Sequence, residues 1–77
     1  MKLNEAIGKR ITALLQERNL TAYKLSRMGG VSKQLVYILA KAQHNKVAVD
    51  SVYQVAATLN ISLKEFFDDP IFDDITD

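Results

Sequence analysis

The sequence has no cysteine and no tryptophan, one proline, one histidine and three glycines. Without cysteine, neither a disulfide nor a thiolate metal site can form. His44 alone offers little for zinc or for acid–base catalysis, so no metal, no cofactor and no enzymatic activity are expected. No apolar run follows Lys2, and none nears the roughly 18 residues of a membrane span. The expectation is therefore a cytoplasmic protein without a membrane partner. What remains is 48% apolar and 25% charged, the make-up of a globular chain. At 77 residues it forms one domain, near the lower size at which a core suffices unaided.

Charge is unevenly distributed. Asp68, Asp69, Asp73, Asp74 and Asp77 crowd the last ten residues, while residues 1 to 67 hold ten Lys and Arg against four acids, a net of +6. A basic body with an acidic tail suits a polyanionic partner. The tail lacks the glycine and terminal glutamate of a calcium loop and reads as a solvated end.

Apolar residues recur at helical spacing, and no segment alternates as a strand would. Ile7, Ile11, Leu14 and Leu15 line one face of a helix from about Asn4 to Arg18, with Asn4 as its N-cap. Three further helix starts share one device. Thr21, Ser32 and Ser62 are each flanked by an apolar residue one before and four after: Leu20 and Leu25, Val31 and Val36, Ile61 and Phe66. Each is a capping hydroxyl inside a hydrophobic staple, and Glu65 adds a capping box to the last. These hydroxyls are caps rather than nucleophiles, since no base stands at a suggestive spacing.

Gly29-Gly30 ends the second helix, and only Gly29, Gly30 and Val31 separate it from the Ser32 cap of the third. Residues 42–48 form a polar loop. Val52, Val55, Ala56 and Leu59 mark a fourth helix that ends near Asn60, and a fifth runs from Leu63 to about Phe67. Asp69-Pro70 then reads as a cap followed by a helix-starting proline. The expected architecture is an all-α, five-helix domain over residues 1–67 with a short acidic tail over 68–77.

A first helix, two short helices about a three-residue glycine turn, and two closing helices form the helix-turn-helix pattern. The chain resembles the phage-repressor and Cro-like (xenobiotic-response-element type) family from Ile7 to Phe67. The marks are Ile7-Gly8-Lys9-Arg10-Ile11, Leu20-Thr21, Tyr23-Lys24-Leu25-Ser26, Gly30-Val31-Ser32 and Leu59 through Phe67. The resemblance implies a lambda-repressor-like fold and a sequence-specific transcriptional regulator. It further implies a repressor that binds double-stranded DNA as a homodimer on a near-palindromic operator, with the third helix in the major groove.

At about 100° per residue, Val36, Leu39, Ala40 and Gln43 fall together on that helix, the first three on its core side. Gln34, Ile38 and Lys41 fall opposite, flanked by Leu35 and Tyr37. Gln34 matches a base-reading position of the family and suits adenine, which its amide can pair bidentately. Leu35, Tyr37 and Ile38 complete the expected base-reading set. Thr21, Lys24, Ser32, Lys33, Lys41 and the loop residues His44, Asn45 and Lys46 are the expected phosphate contacts.

The chain departs from the family at four places. Leu35, Tyr37 and Ile38 stand where relatives carry polar residues; apolar groups pack on thymine methyls, yet the same surface also suits a protein partner. Ala22 replaces a phosphate-binding glutamine. Leu15 and Ala40 replace a buried Arg–Glu pair, and losing both partners together strands no charge. Ala42, Val47 and Ala48 replace the loop's usual glycine, proline and capping serine. Phe67, Ile71, Phe72 and Ile75 either pack on their own domain or form a dimer interface. The alternatives to a regulator are a protein-interaction module on the same fold (an antirepressor or a regulator-titrating subunit) and the antitoxin of a toxin–antitoxin pair.

Overall fold

The computed structural model describes residues 1–76; Asp77, the last acid of the tail, lies outside the described residues. Five α-helices run α1 (Leu3–Glu17), α2 (Ala22–Arg27), α3 (Lys33–Ala40), α4 (Val49–Thr58) and α5 (Leu63–Phe67). A single 3₁₀ turn, Pro70–Asp74, follows. Among the described residues there is no strand, and no helix is long and apolar enough to cross a membrane.

The helix starts follow the capping chemistry. Thr21, Ser32 and Ser62 each accept a hydrogen bond from the backbone N–H three residues on, at Lys24, Leu35 and Glu65. Each satisfies one of the donors that a first turn leaves without an internal partner. Asp69 likewise accepts from Ile71 N–H, and Pro70 opens the turn that follows.

The first helix corrects the expectation. It begins one residue earlier, Lys2 is its N-cap, and the Lys2 N–H donates to Glu5 Oε1 at 2.9 Å. Asn4 lies inside the helix and is 6% exposed, its Nδ2 donating to the His44 carbonyl oxygen at 3.0 Å. An asparagine that looks like a cap is thus a tether between α1 and the loop before α4.

Three helices end alike. The N–H groups of Leu20, Gln43 and Ile61 reach back five residues to the carbonyls of Leu15, Ile38 and Ala56. The residues just before them, Asn19, Ala42 and Asn60, have φ of 57°, 52° and 63°. These are Schellman ends, which need one left-handed residue. Asparagine tolerates that conformation, whereas alanine carries a Cβ penalty there.

Ile7, Ile11, Leu14, Leu25, Val36, Leu39, Val52, Val55, Leu59 and Phe66 form the core, and each full burial contributes roughly 1.5–3 kcal/mol. α1 crosses the C-terminal end of α3 at Gly8, where the two backbones approach directly. Arg10 of α1 and Arg18, the C-cap of that helix, tie down the other helix ends. Arg18 donates to the Leu59 carbonyl at 2.9 Å. Arg10 donates to the carbonyls of Phe66 at 2.7 Å and Glu65 at 2.9 Å, and pairs with Asp69 at 3.2 Å.

Residues 69–76 pack back toward the start of α1. The N–H of Thr76 donates to the Met1 carbonyl, and the Met1 amine donates to the Asp74 carbonyl. The ring of Phe72 lies 4.9 Å from that of Phe67 and 6.2 Å from that of Phe66, centroid to centroid. Phe67, Ile71, Phe72 and Ile75 are all half-buried within their own domain.

Candidate nucleic-acid interface

α2 and α3 pack together through a turn that only glycine fits. Gly29 and Gly30 have φ of 94° and 87°, and a Cβ on Gly30 would stand 2.9 Å from Thr58 Oγ1 of α4. The same hydroxyl lies 3.1 Å from the Gly29 carbonyl oxygen. The turn thus rests on α4, which fixes how α3 is presented.

On the outer side of α3, Lys33, Gln34, Tyr37 and Lys41 are exposed. Lys33, Gln34, Tyr37 and Ile38 share one shallow surface depression with Gln43. Lys41 Nζ lies 5.7 Å from the centre of the Tyr37 ring, a cation–π distance that holds the charge beside the helix. The Ser32 hydroxyl caps the first turn of α3, accepting from the Leu35 N–H. Thr21, at the start of α2, borders the same side of the molecule, in an apolar cleft of about 410 Å³ that Tyr37, Lys33 and Lys41 also line.

That cleft occupies the ground where the resemblance implies a missing ion pair. Leu15 and Ala40 both line it, Leu15 buried and Ala40 half-buried, with Leu20 and Ala22 alongside. No charge has been stranded by the double replacement.

Not every expected reader stands equally clear. Leu35 is half-buried and packs against the core, lining a second cleft with Val47, Ala48 and Ser51. Ile38 is half-buried between that cleft and the outer depression. Of the three apolar residues, Tyr37 alone is exposed, at 48%. His44 and Lys46 rim the second cleft, and Asn45 and Lys46 face Leu3 and Asn4 at the start of α1. Lys24 is exposed on α2, outside these clefts.

Two residues of this face escaped the sequence reading. Tyr23 is 57% exposed and lines the cleft with Thr21, Tyr37 and Lys41; its position two residues after a capping threonine was the available signal. Gln43, which falls at helical spacing with Val36, Leu39 and Ala40 but outside their core side, is exposed beside Gln34. The helix ends at Ala40, and the left-handed Ala42 swings the next residue outward.

A family model described as the Cro/C1-type HTH DNA-binding domain matches residues 10–70. The fold is similar to that of the crystal structure of the prophage Lp1 protein 11, with a TM-score of 0.76. The two share 24% sequence identity, over 97% of this chain and 100% of that one, a likeness that bears on the fold alone. No curated protein matches the chain.

Proposed function

The chain belongs to the Cro/C1-type helix-turn-helix DNA-binding domain family, and from that premise we propose that it is a transcriptional repressor. It acts as a homodimer on a near-palindromic operator, with one α3 in each of two successive major grooves about 34 Å apart. The observation that carries this reading is the outer face of α3. Gln34 and Tyr37 stand exposed there between Lys33 and Lys41, beside the Thr21 cap of α2.

In this arrangement Lys33, Lys41, Lys46 and the Thr21 hydroxyl hold phosphates and fix the register. Gln34, with Tyr37 and Ile38, meets base edges. Lys24, Ser32, His44 and Asn45 extend the phosphate contacts along the backbone. Phe67, Ile71, Phe72 and Ile75 supply the dimer contact through the portions that their own domain leaves uncovered. The half-burial of Leu35 and Ile38 favours DNA over a protein partner, because it leaves little of the apolar patch that such a partner would cover.

Amide NMR titration with a generic duplex at low and at moderate salt tests the reading. Shifts confined to Thr21–Lys24, Ser32–Lys41 and His44–Lys46, fading as salt rises, are expected. An absence of shifts at low salt overturns DNA binding, since every such regulator retains that electrostatic component.

A further inference from the structure

The outer stripe of α3 has an unusual make-up for a surface that meets a polyanion. Ile38 stands one helical turn after Gln34, and its open side faces the depression that Gln34, Tyr37 and Gln43 share. Its other side borders a second cleft, which Val47 and His44 also line. A β-branched side chain on a helix keeps one strongly preferred χ1, so the direction in which Ile38 projects is set by α3 itself.

In the major groove only thymine presents an apolar group, its C5-methyl; guanine, adenine and cytosine present donors or acceptors there. Opposite a G·C pair, Ile38 would strip water from polar base atoms and return no hydrogen bond, which is costly. Opposite thymine it covers a methyl. The Gln34 amide meets adenine N6 and N7 by a bidentate pair, and one helical turn rises about 5.4 Å, enough to reach the next base pairs along the groove. The positive groups at the border, Lys33 and Lys41, bring phosphates to this same side.

We propose that Ile38 packs on a thymine C5-methyl group and so selects a T·A pair within each half-site, beside the position that Gln34 meets. This inference rests on the DNA-binding reading.

The test uses the full chain to select duplexes from a random pool. Each thymine of the selected duplex is then replaced in turn by deoxyuridine, which removes the methyl and leaves every hydrogen-bonding group in place. Replacement at one position of a half-site is expected to weaken binding about fourfold, the worth of one buried methyl. The Ile38→Ala variant, its folding checked by thermal melting, is expected to bind the thymine and deoxyuridine duplexes alike. The deoxyuridine series on the unaltered protein stands even if that variant does not fold. Salt-sensitive binding that no deoxyuridine changes overturns the methyl contact and leaves the regulator reading intact. Failure to bind any duplex at low salt removes the regulator reading and this inference together.

Discussion

Gly8 and Ala40 meet with no side chain between them: a Cβ on Gly8 would stand 2.8 Å from the Ala40 carbonyl oxygen. The Leu39 carbonyl would be 2.9 Å away. Alanine at position 8 favours the helix by up to about 1 kcal/mol. It also forces two backbones apart, and overpacking of that kind costs about 1–3 kcal/mol. The clash is with backbone, which has no rotamer to escape into, so the net effect of Gly8→Ala is destabilisation. Thermal melting is expected to show a lower midpoint, by several degrees for a domain of this size; a higher one would mean that α1 and α3 do not approach so closely.

Ala42 invites the opposite change. Its φ of 52° carries the left-handed penalty of roughly 1–2 kcal/mol, against about 0.4–1 kcal/mol of added unfolded-state freedom for glycine. Ala42→Gly is therefore expected to stabilise the fold by about 0.5–1 kcal/mol. Urea denaturation reads this as a higher midpoint at unchanged slope.

Arg10 grips the end of α5 through three partners, Phe66, Glu65 and Asp69. Replacing it by Met keeps much of the stem and removes every donor, leaving two carbonyls to find water. A loss of about 2–3 kcal/mol is expected, from hydrogen bonds to a charged group. Hydrogen exchange should locate the weakening at Phe66 through Phe72, and a loss spread evenly over α2 and α3 would contradict the clamp.

Lys41 and Gln34 are expected to fail differently. Lys41→Ala should weaken all duplexes alike and flatten the salt dependence by about one unit. Gln34→Ala should cost about 1–3 kcal/mol at the preferred site and relax the choice at one base pair. Binding isotherms at several salt concentrations separate the two, and an unchanged site preference in Gln34→Ala would show that this amide reads no base.

If the proposed homodimer forms through the tail, removing the residues after Asp69 should leave a monomer in sedimentation, with circular dichroism confirming that the five helices persist. An unchanged association state would place the interface elsewhere.

The features legible in the sequence were local. Thr21, Ser32 and Ser62 announce their helices because cap and staple lie within five residues of one another. The left-handed end at Asn60 is legible for the same reason. Asn4 misled because a short polar side chain at a helix start has two uses, and only the His44 carbonyl, forty residues away, reveals which applies. Leu35, expected on the outward side of the third helix, is half-buried for a reason that lies beyond that helix. The chain turns at Ala42, and Val47 packs against the core beside Leu35. The grip of Arg10 on α5 has no local signature at all.

Arg18 and Arg10 also set an order of events. Their acceptors lie 41 and 56 residues further along, at Leu59 and Phe66. During synthesis the first helix emerges with neither in existence, and the pair α2–α3 is complete before its scaffold can close. Closing such long loops is entropically unfavourable until the final contacts form. A nascent chain halted before Phe66 therefore carries α2 and α3 on an unlocked frame, and the segment from Leu59 to Asp69 is what secures the first helix.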